Sequence, residues 1–336
     1  MSKVFVTGAT GFMAQHLINQ LLSKDFKVIG SVRSTEKGDK LSSLFQNSNF
    51  QYVIVKDLVN SQDDFDQALS AHSDIKYVFH TASPVFPKNL KDVEKDMIEP
   101  AIHGTQNILR SVHKNLPNVE KFIYTSSLAA IRSEDGYSQD EVVTEESWNN
   151  VKLNEAKNDS GKAYEASKTH GEKAVWDFFQ KNHDVNFKFS IINPVYIFGP
   201  QLFDEYVSEQ LNFSCEIINK ILKKQDDEIL GYSIDVRDVA KAHVSCIENS
   251  KTDSQRLLTA LAPYNNQTLK DLIHKHFPQV SNKVDIGKPG SDQEVFKGYY
   301  TLDNSKTKEI LGFEFIPQEQ TIVDTVSQIL KVQGKI

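Results

Sequence analysis

From Val4 to Asn193, short apolar or β-branched runs alternate with stretches of helical periodicity, and few architectures accommodate that alternation. Val4–Thr7, Lys27–Val32, Tyr52–Val55, Tyr77–Thr81, Lys121–Ser126 and Phe187–Asn193 read as strands. Between them, Ala14, Leu17, Ile18, Leu21 and Leu22 repeat at helical spacing, and the region around Phe65–Leu69 is amphipathic. Ile102–Val112 is helical, as is Ala163–Phe179, with Ala174, Val175, Phe178 and Phe179 on its apolar side. A strand, a helix and another strand in sequence pair in parallel through a right-handed crossover. The predicted fold is therefore α/β, a Rossmann-type doubly wound parallel sheet with helices on both faces. Strands that are nearly continuous in apolar residues fit a sheet buried on both sides.

After Asn193-Pro194 the rhythm changes. Gly199-Pro200 opens an irregular stretch, Val207–Leu222 and Val236–Ile247 read as helices, and Arg256–Ala260 as a strand. The 336 residues suggest two domains. Residues 1–193 and 236–262 are expected to form an NADP-binding sheet domain, and 194–235 with 263–336 a smaller substrate-binding lobe over its C-terminal edge. The polar stretches Ser133–Asp140 and Asn149–Ser160 are expected as surface loops.

Charge and cysteine usage exclude several functions. Lys+Arg is 38 against Asp+Glu 45, a net charge of −7, which disfavours nucleic acid and anionic membrane as partners. No apolar run approaches the roughly 18 residues of a membrane span. The N-terminus enters a strand without a leader pattern. Cys215 and Cys246 are too few for a disulfide framework and fit a reducing compartment as buried, inert thiols, so a cytoplasmic location is expected. His274 and His276 are too close in sequence to share a helical face, and no metal motif is present.

The first chemical motif is Thr7-Gly8-Ala9-Thr10-Gly11-Phe12-Met13-Ala14, between the first strand and first helix. Gly8 permits the tight turn, Gly11 lets the backbone approach a pyrophosphate, and Ala14 allows close helix–strand packing. Free N–H groups at the helix start then face the anion. Thr7, Gly8, Ala9, Thr10, Gly11, Phe12 and Met13 are thus cofactor candidates. At the end of the second strand, where an NAD site usually has a carboxylate, the chain reads Gly30-Ser31-Val32-Arg33-Ser34. Arg33 offers a planar fork to a 2′-phosphate and Lys37 a second charge, which points to NADP(H).

Tyr164-Glu165-Ala166-Ser167-Lys168 is a Tyr-x-x-x-Lys pair, a weak signal alone because Tyr52 and Lys56 match it too. Geometry separates the two. On a strand, residues four apart lie about 13 Å from each other. On a helix they lie about 6 Å apart on one face. Only the second arrangement brings an ammonium near a phenol, favouring phenolate. Tyr164 could then donate a proton to a carbonyl oxygen as hydride arrives from a nicotinamide, with Lys168 also reaching the cofactor ribose. Thr125-Ser126-Ser127 ends the fifth strand at the edge where such sheets bind ligands, and one serine hydroxyl would bind the developing oxyanion. Strand alternation keeps Ser126 and Ser127 from pointing the same way.

Together these motifs resemble the extended short-chain dehydrogenase/reductases over essentially the whole chain. His80-Thr81-Ala82-Ser83-Pro84, Asn193-Pro194-Val195-Tyr196-Ile197-Phe198-Gly199-Pro200 and Asp235-Val236-Arg237-Asp238-Val239-Ala240 resemble the branch that holds dihydroflavonol and cinnamoyl reductases. With Glu146-Ser147-Trp148-Asn149 and Thr325–Gly334, the chain is similar to the NADPH-dependent methylglyoxal reductases of yeasts, which reduce many ketones and aldehydes. The resemblance implies Ser127 as the catalytic serine beside Tyr164 and Lys168, with Ser126 on the cofactor side. It implies Asp57 and Leu58 beside the adenine and Ala82 near the cofactor backbone. Pro194 and Ile197 would meet the nicotinamide carboxamide, and Ser214 would make a further cofactor contact. Val85, Phe86, Leu128 and Tyr196 would line the substrate, Leu128 standing where relatives have a larger aromatic. Many short-chain enzymes relay protons through an asparagine at the position of Ala101, so water or the ribose would serve here.

The expected function is an NADPH-dependent carbonyl reductase for small ketones, aldehydes or diketones, with a second copy of the chain as a candidate homodimer partner. A nucleotide-sugar epimerase or dehydratase and a non-catalytic NADP-sensing protein are the alternatives. The first disagrees with Arg33 and an aromatic smaller lobe, the second with the full Ser127, Tyr164 and Lys168 set.

Overall fold

The computed structural model describes residues 2–59, 62–83, 91–133, 136–157, 159–209 and 211–336, Gln62 by its backbone alone. In chain order its first elements are β1 (Lys3–Thr7), α1 (Phe12–Ser23), β2 (Lys27–Val32), α2 (Thr35–Phe45), β3 (Phe50–Ile54), α3 (Gln62–Ser70) and β4 (Ile75–His80). A π-helical turn, Glu94–Ile98, leads into α4 (Glu99–Asn115), followed by β5 (Lys121–Thr125), a 3-10 turn at Leu128–Ala130, β6 (Val142–Val143), α5 (Ser160–Lys181) and β7 (Lys188–Pro194). Then come β8 (Tyr196–Phe198), α6 (Asp204–Glu209), α7 (Phe213–Ile221), β9 (Leu230–Asp235), α8 (Val236–Glu248), β10 (Arg256–Thr259) and β11 (Ala262–Asn265). The chain ends with α9 (Asn266–His276), α10 (Asp292–Lys297), β12 (Thr301–Leu302), α11 (Ser305–Leu311) and α12 (Gln318–Val332).

Seven strands form one sheet in the order β10-β7-β5-β4-β1-β2-β3, every neighbour pair parallel. The order reverses at β1, which places a crevice at the strand ends between β1 and β4. Strand alternation splits the apolar residues between two layers. Val4 and Val6 of β1 join Leu17, Ile18 and Leu21 of α1 and Val239 of α8 in one core. Phe5 joins Phe65 of α3, Ile108 and Leu109 of α4 and Val175 of α5 in the other. The predicted doubly wound parallel sheet is the observed one.

Local caps set where the helices begin. Ser34 accepts from the Lys37 N–H at the start of α2, Asp159 from Gly161 and Lys162 at the start of α5, and Asp235 from Arg237 at the start of α8. Helix α2 falls where the sequence analysis passed directly from the second strand to the third. The Ser34 cap and buried Leu41 were its signals. The single helix expected over Val207–Leu222 is two pieces, α6 and α7. Asn212 stands between them in extended conformation (φ −65°, ψ 162°), its side chain accepting from Gln201. Also unanticipated was a second sheet, β11-β9-β8, above the strand ends of the first. Its surroundings have their own core, in which Phe198, Ile218, Tyr264, Ile273, Ile322 and Val326 meet.

Among the described residues no helix is long and apolar enough to cross a membrane. Both cysteines are fully buried, and burial raises the Cys215 thiol to about 12 and the Cys246 thiol to about 11. A thiol reagent such as DTNB should therefore label neither in the native protein and both after denaturation. Rapid native labelling would contradict this packing.

Candidate active site

The cradle begins where β1 ends and the chain must reverse into α1. Gly8 takes φ +68°, and a Cβ there would lie 3.0 Å from both Cα and Cβ of Ala82, so only glycine fits. Gly11 is the N-cap of α1 and supplies no side-chain cap, so no side chain closes the first-turn N–H groups at this position. The turn is held to β2, with Ala9 N–H donating to Ser31 O (3.0 Å) and Gly8 N–H to Ser31 Oγ (3.1 Å). Thr10 O accepts from Gln15 Nε2, while Phe12 packs edge-on against His16 and Met13 is buried.

Thr7 fastens β1 to β4. Its Oγ1 accepts N–H bonds from Thr81 and Ala82, both at 3.0 Å. Its one proton therefore goes to His80 Nδ1, 2.8 Å away, which leaves the His80 hydrogen on Nε2. Burial, then the nearby Lys168 charge, lowers His80 to about 3, so the ring is neutral. His80 is thus a structural acceptor.

Arg33 follows β2 and Lys37 lies in the first turn of α2. Both are exposed, and neither has an ion-pair partner among the described residues. Asp57 and Leu58 follow β3, where Asp57 Oδ1 accepts from Val59 N–H. Asn107 of α4 donates to the carbonyls of Leu58 (3.0 Å) and Val59 (2.8 Å), fixing this segment.

Tyr164 and Lys168 share a face of α5, and the Lys168 Nζ lies 5.7 Å from the Tyr164 ring centroid. Tyr164 OH donates to Ser127 Oγ at 3.3 Å. Ser127 caps the 3-10 turn after β5 and also accepts from Ala129 N–H (3.2 Å). The three predicted catalytic side chains are therefore brought together at the sheet's C-terminal edge. The Ser126 hydroxyl donates to the buried Glu172 carboxylate (2.5 Å), which needs donors there.

Across the cleft, Pro194 ends β7 and Ile197 lies in β8. Ser214 sits buried in the first turn of α7, which is tied to that segment by Asn212 Nδ2 to Ile197 O (3.4 Å) and Cys215 Sγ to Gly199 O (3.3 Å). Tyr196 stacks on Phe213 and meets Tyr264 edge-on. Leu128, beside Ser127, packs with Tyr232, Tyr299 and Leu302 around the buried Tyr300. Val85 and Phe86 lie outside the described residues. Ala101 is buried on α4, where its carbonyl accepts from Thr105 Oγ1 (2.7 Å).

Glu172 and Arg256, a buried ion pair with Nε to Oε1 at 2.6 Å, were not anticipated from the sequence. The signal for Glu172 was its spacing, four residues after Lys168 and eight after Tyr164 on one helix face.

Lys168 is 4% exposed, and burial lowers its ammonium to about 8. The unfolded chain then holds this proton to higher pH than the folded one. Stability should rise as pH goes from about 8 towards the ordinary lysine value of 10.5. Urea unfolding across that range should show the rise in the wild type and its absence in Lys168→Met. Parallel curves would mean the lysine is solvated.

Comparison with known proteins places this geometry in a lineage. Residues 5–263 match the 3-beta hydroxysteroid dehydrogenase/isomerase family. The chain is 42% identical to NADPH-dependent methylglyoxal reductase Gre2 of Saccharomyces cerevisiae, over 99% of each chain. The crystal structure of the yeast methylglyoxal/isovaleraldehyde reductase Gre2 complexed with NADPH superimposes with a TM-score of 0.95 at 41% identity, covering 99% of this chain and 100% of that one. Gre2 from Candida albicans in complex with NADPH gives 0.94 at 42% identity, with 99% of each chain covered. Family match, full-length similarity and shared fold agree, and the chain belongs to the 3-beta hydroxysteroid dehydrogenase/isomerase family of extended short-chain dehydrogenase/reductases.

Proposed function

We propose that this protein is an NADPH-dependent carbonyl reductase acting on small ketones, aldehydes or diketones, methylglyoxal among them. The observation that carries the proposal is the convergence of Tyr164 OH, Ser127 Oγ and Lys168 beside a glycine cradle. The names and NADPH complexes of the Gre2 relatives support it.

The residues present suit the cofactor. A Cβ at Gly8 would fill the cradle floor, and the α1 N-terminus carries no side-chain cap where a pyrophosphate would sit. Thr7 to Met13 would hold the pyrophosphate, Arg33 and Lys37 the 2′-phosphate, and Asp57 and Leu58 the adenine. Ala82, Pro194, Ile197 and Ser214 would hold the remainder. When bound, NADPH supplies hydride to the carbonyl carbon. Tyr164 gives its phenolic proton to the carbonyl oxygen, so hydride and proton together yield the alcohol. Ser127 donates a hydrogen bond to that same oxygen as charge builds on it. The Lys168 cation favours the phenolate that remains. Leu128 and Tyr196, with Val85 and Phe86, would shape the substrate wall.

Residues 194–235 and 263–336 contain no arginine, which disfavours a nucleotide-sugar diphosphate as substrate. We also propose 1–193 with 236–262 as the cofactor domain and 194–235 with 263–336 as the substrate lobe. The return of β10 to the large sheet and the separate core around Tyr264 support that division. A cytoplasmic setting and a homodimer are the accompanying proposals. The two buried free thiols support the first, and light scattering reads the second.

Absorbance at 340 nm, with NADPH or NADH and a panel of methylglyoxal, an aliphatic diketone, an aryl ketone and a branched aldehyde, tests the activity. Tyr164→Phe should keep NADPH binding and lose about 10²–10⁴-fold in turnover. Near wild-type rates would remove Tyr164 as the acid. Arg33→Ala should weaken NADPH by roughly 10–100-fold, the value of a charged hydrogen bond, and NADH little. Equal losses would mean that Arg33 does not bind the 2′-phosphate.

A further inference from the structure

The turn that presents Ser127 has its carbonyls taken by side chains from several elements. Ser127 O accepts from Asn193 Nδ2 (3.1 Å), and Ala129 O from Asn149 Nδ2 (2.9 Å). Ala130 O accepts from Arg256 Nη2 (3.3 Å). Asn149 is backed by Glu165 (2.9 Å), whereas Asn193 and Arg256 share one carboxylate. Glu172, 0% exposed, accepts from Ser126 Oγ (2.5 Å), Asn193 Nδ2 (2.7 Å) and Arg256 Nε (2.6 Å). Arg256 donates further to Glu145 O and Ser147 O and lies 3.9 Å from the centre of the Trp148 ring. Glu172 stands on the same face of α5 as Tyr164 and Lys168. The serine turn and the tyrosine helix are thus joined through buried charge.

We infer that Glu172 and Arg256, with Asn193 as the bridge, are positioning residues that hold Ser127 Oγ in register with Tyr164 OH for proton transfer. The inference rests on the assignment of Ser127 and Tyr164 in the proposed function. Glu172 and Arg256 act on the reacting pair only through other residues, and Asn193 reaches Ser127 by its backbone carbonyl, not its hydroxyl. Asn193 is the mechanical link, because its one amide nitrogen spans Glu172 Oε2 and Ser127 O. Removing the carboxylate frees Ser126, Asn193 and Arg256 together, and misplacement by about 1 Å at a reacting centre costs on the order of 10²-fold in rate.

A double-mutant cycle in the full-length protein separates positioning from general support. The four proteins are wild type, Glu172→Gln, Ser127→Ala and Ser127→Ala/Glu172→Gln, assayed with NADPH and methylglyoxal. NADPH affinity is measured separately by fluorescence. Glu172→Gln should lower kcat by about 10–100-fold with KM and NADPH affinity within about threefold of wild type. In the Ser127→Ala background the same change should cost almost nothing further, because the group it positions is gone. Asn193→Ser, which keeps the ion pair and breaks the bridge, is run through the same cycle and decides the matter if Glu172→Gln does not fold. Losses that multiply in the cycle would overturn the inference, leaving Glu172 a structural charge. Ser127→Ala with wild-type kcat would instead overturn the catalytic assignment, and the inference with it.

Discussion

Parallel strands share a direction, so a sheet made only of them has two unlike edges. One edge gathers the last residue of every strand, and there the chain leaves regular pairing with free polar groups and no repeating geometry. In this protein that edge collects Thr7 from β1, Arg33 after β2, Asp57 after β3, His80 from β4, Ser127 after β5 and Pro194 from β7. These residues are far apart in sequence, and only the common strand direction makes them neighbours. The reversal of strand order at β1 opens the crevice among them. The second sheet follows directly from β7 through β8, and α7 is tied to it by Asn212 Nδ2 to Ile197 O.

The polar groups at this edge are organised by satisfying one another. Thr7 Oγ1 uses two acceptor sites and one proton, which fixes the His80 tautomer. His243 of α8 takes the opposite tautomer, its Nδ1 donating to Val239 O, so Nε2 accepts from Thr125 Oγ1. Burial lowers His243 to about 4, and both rings are neutral at physiological pH. Lys168 is buried near the neutral His80 ring, with its Nζ 5.7 Å from the centre of the Tyr164 ring.

Much of this was legible in the sequence because it rests on local rules. Strand and helix periods are local, and so are the turn at Gly8 and the four-residue spacing from Tyr164 to Lys168. The parallel sheet follows from their alternation. What was not legible depends on contacts between distant segments. The break between α6 and α7 comes from Asn212 meeting Gln201, and the bond from Ser126 to Glu172 joins two separate elements. The β11-β9-β8 sheet joins an antiparallel pair to a parallel one from short runs with weak periodicity. Nothing in the local spelling around Arg256 announces a partner 84 residues earlier.

That last separation bears on how the chain comes to be made. Glu172 enters the core on α5, but the guanidinium that meets it is synthesised 84 residues later. At the usual 5–20 residues per second, translation leaves a gap of roughly 4–17 seconds. During that interval a nascent chain that packed α5 against the finished strands would bury an uncompensated carboxylate, which is costly. The buried pair is complete only once β10 has been made, with the matching charge at its first residue.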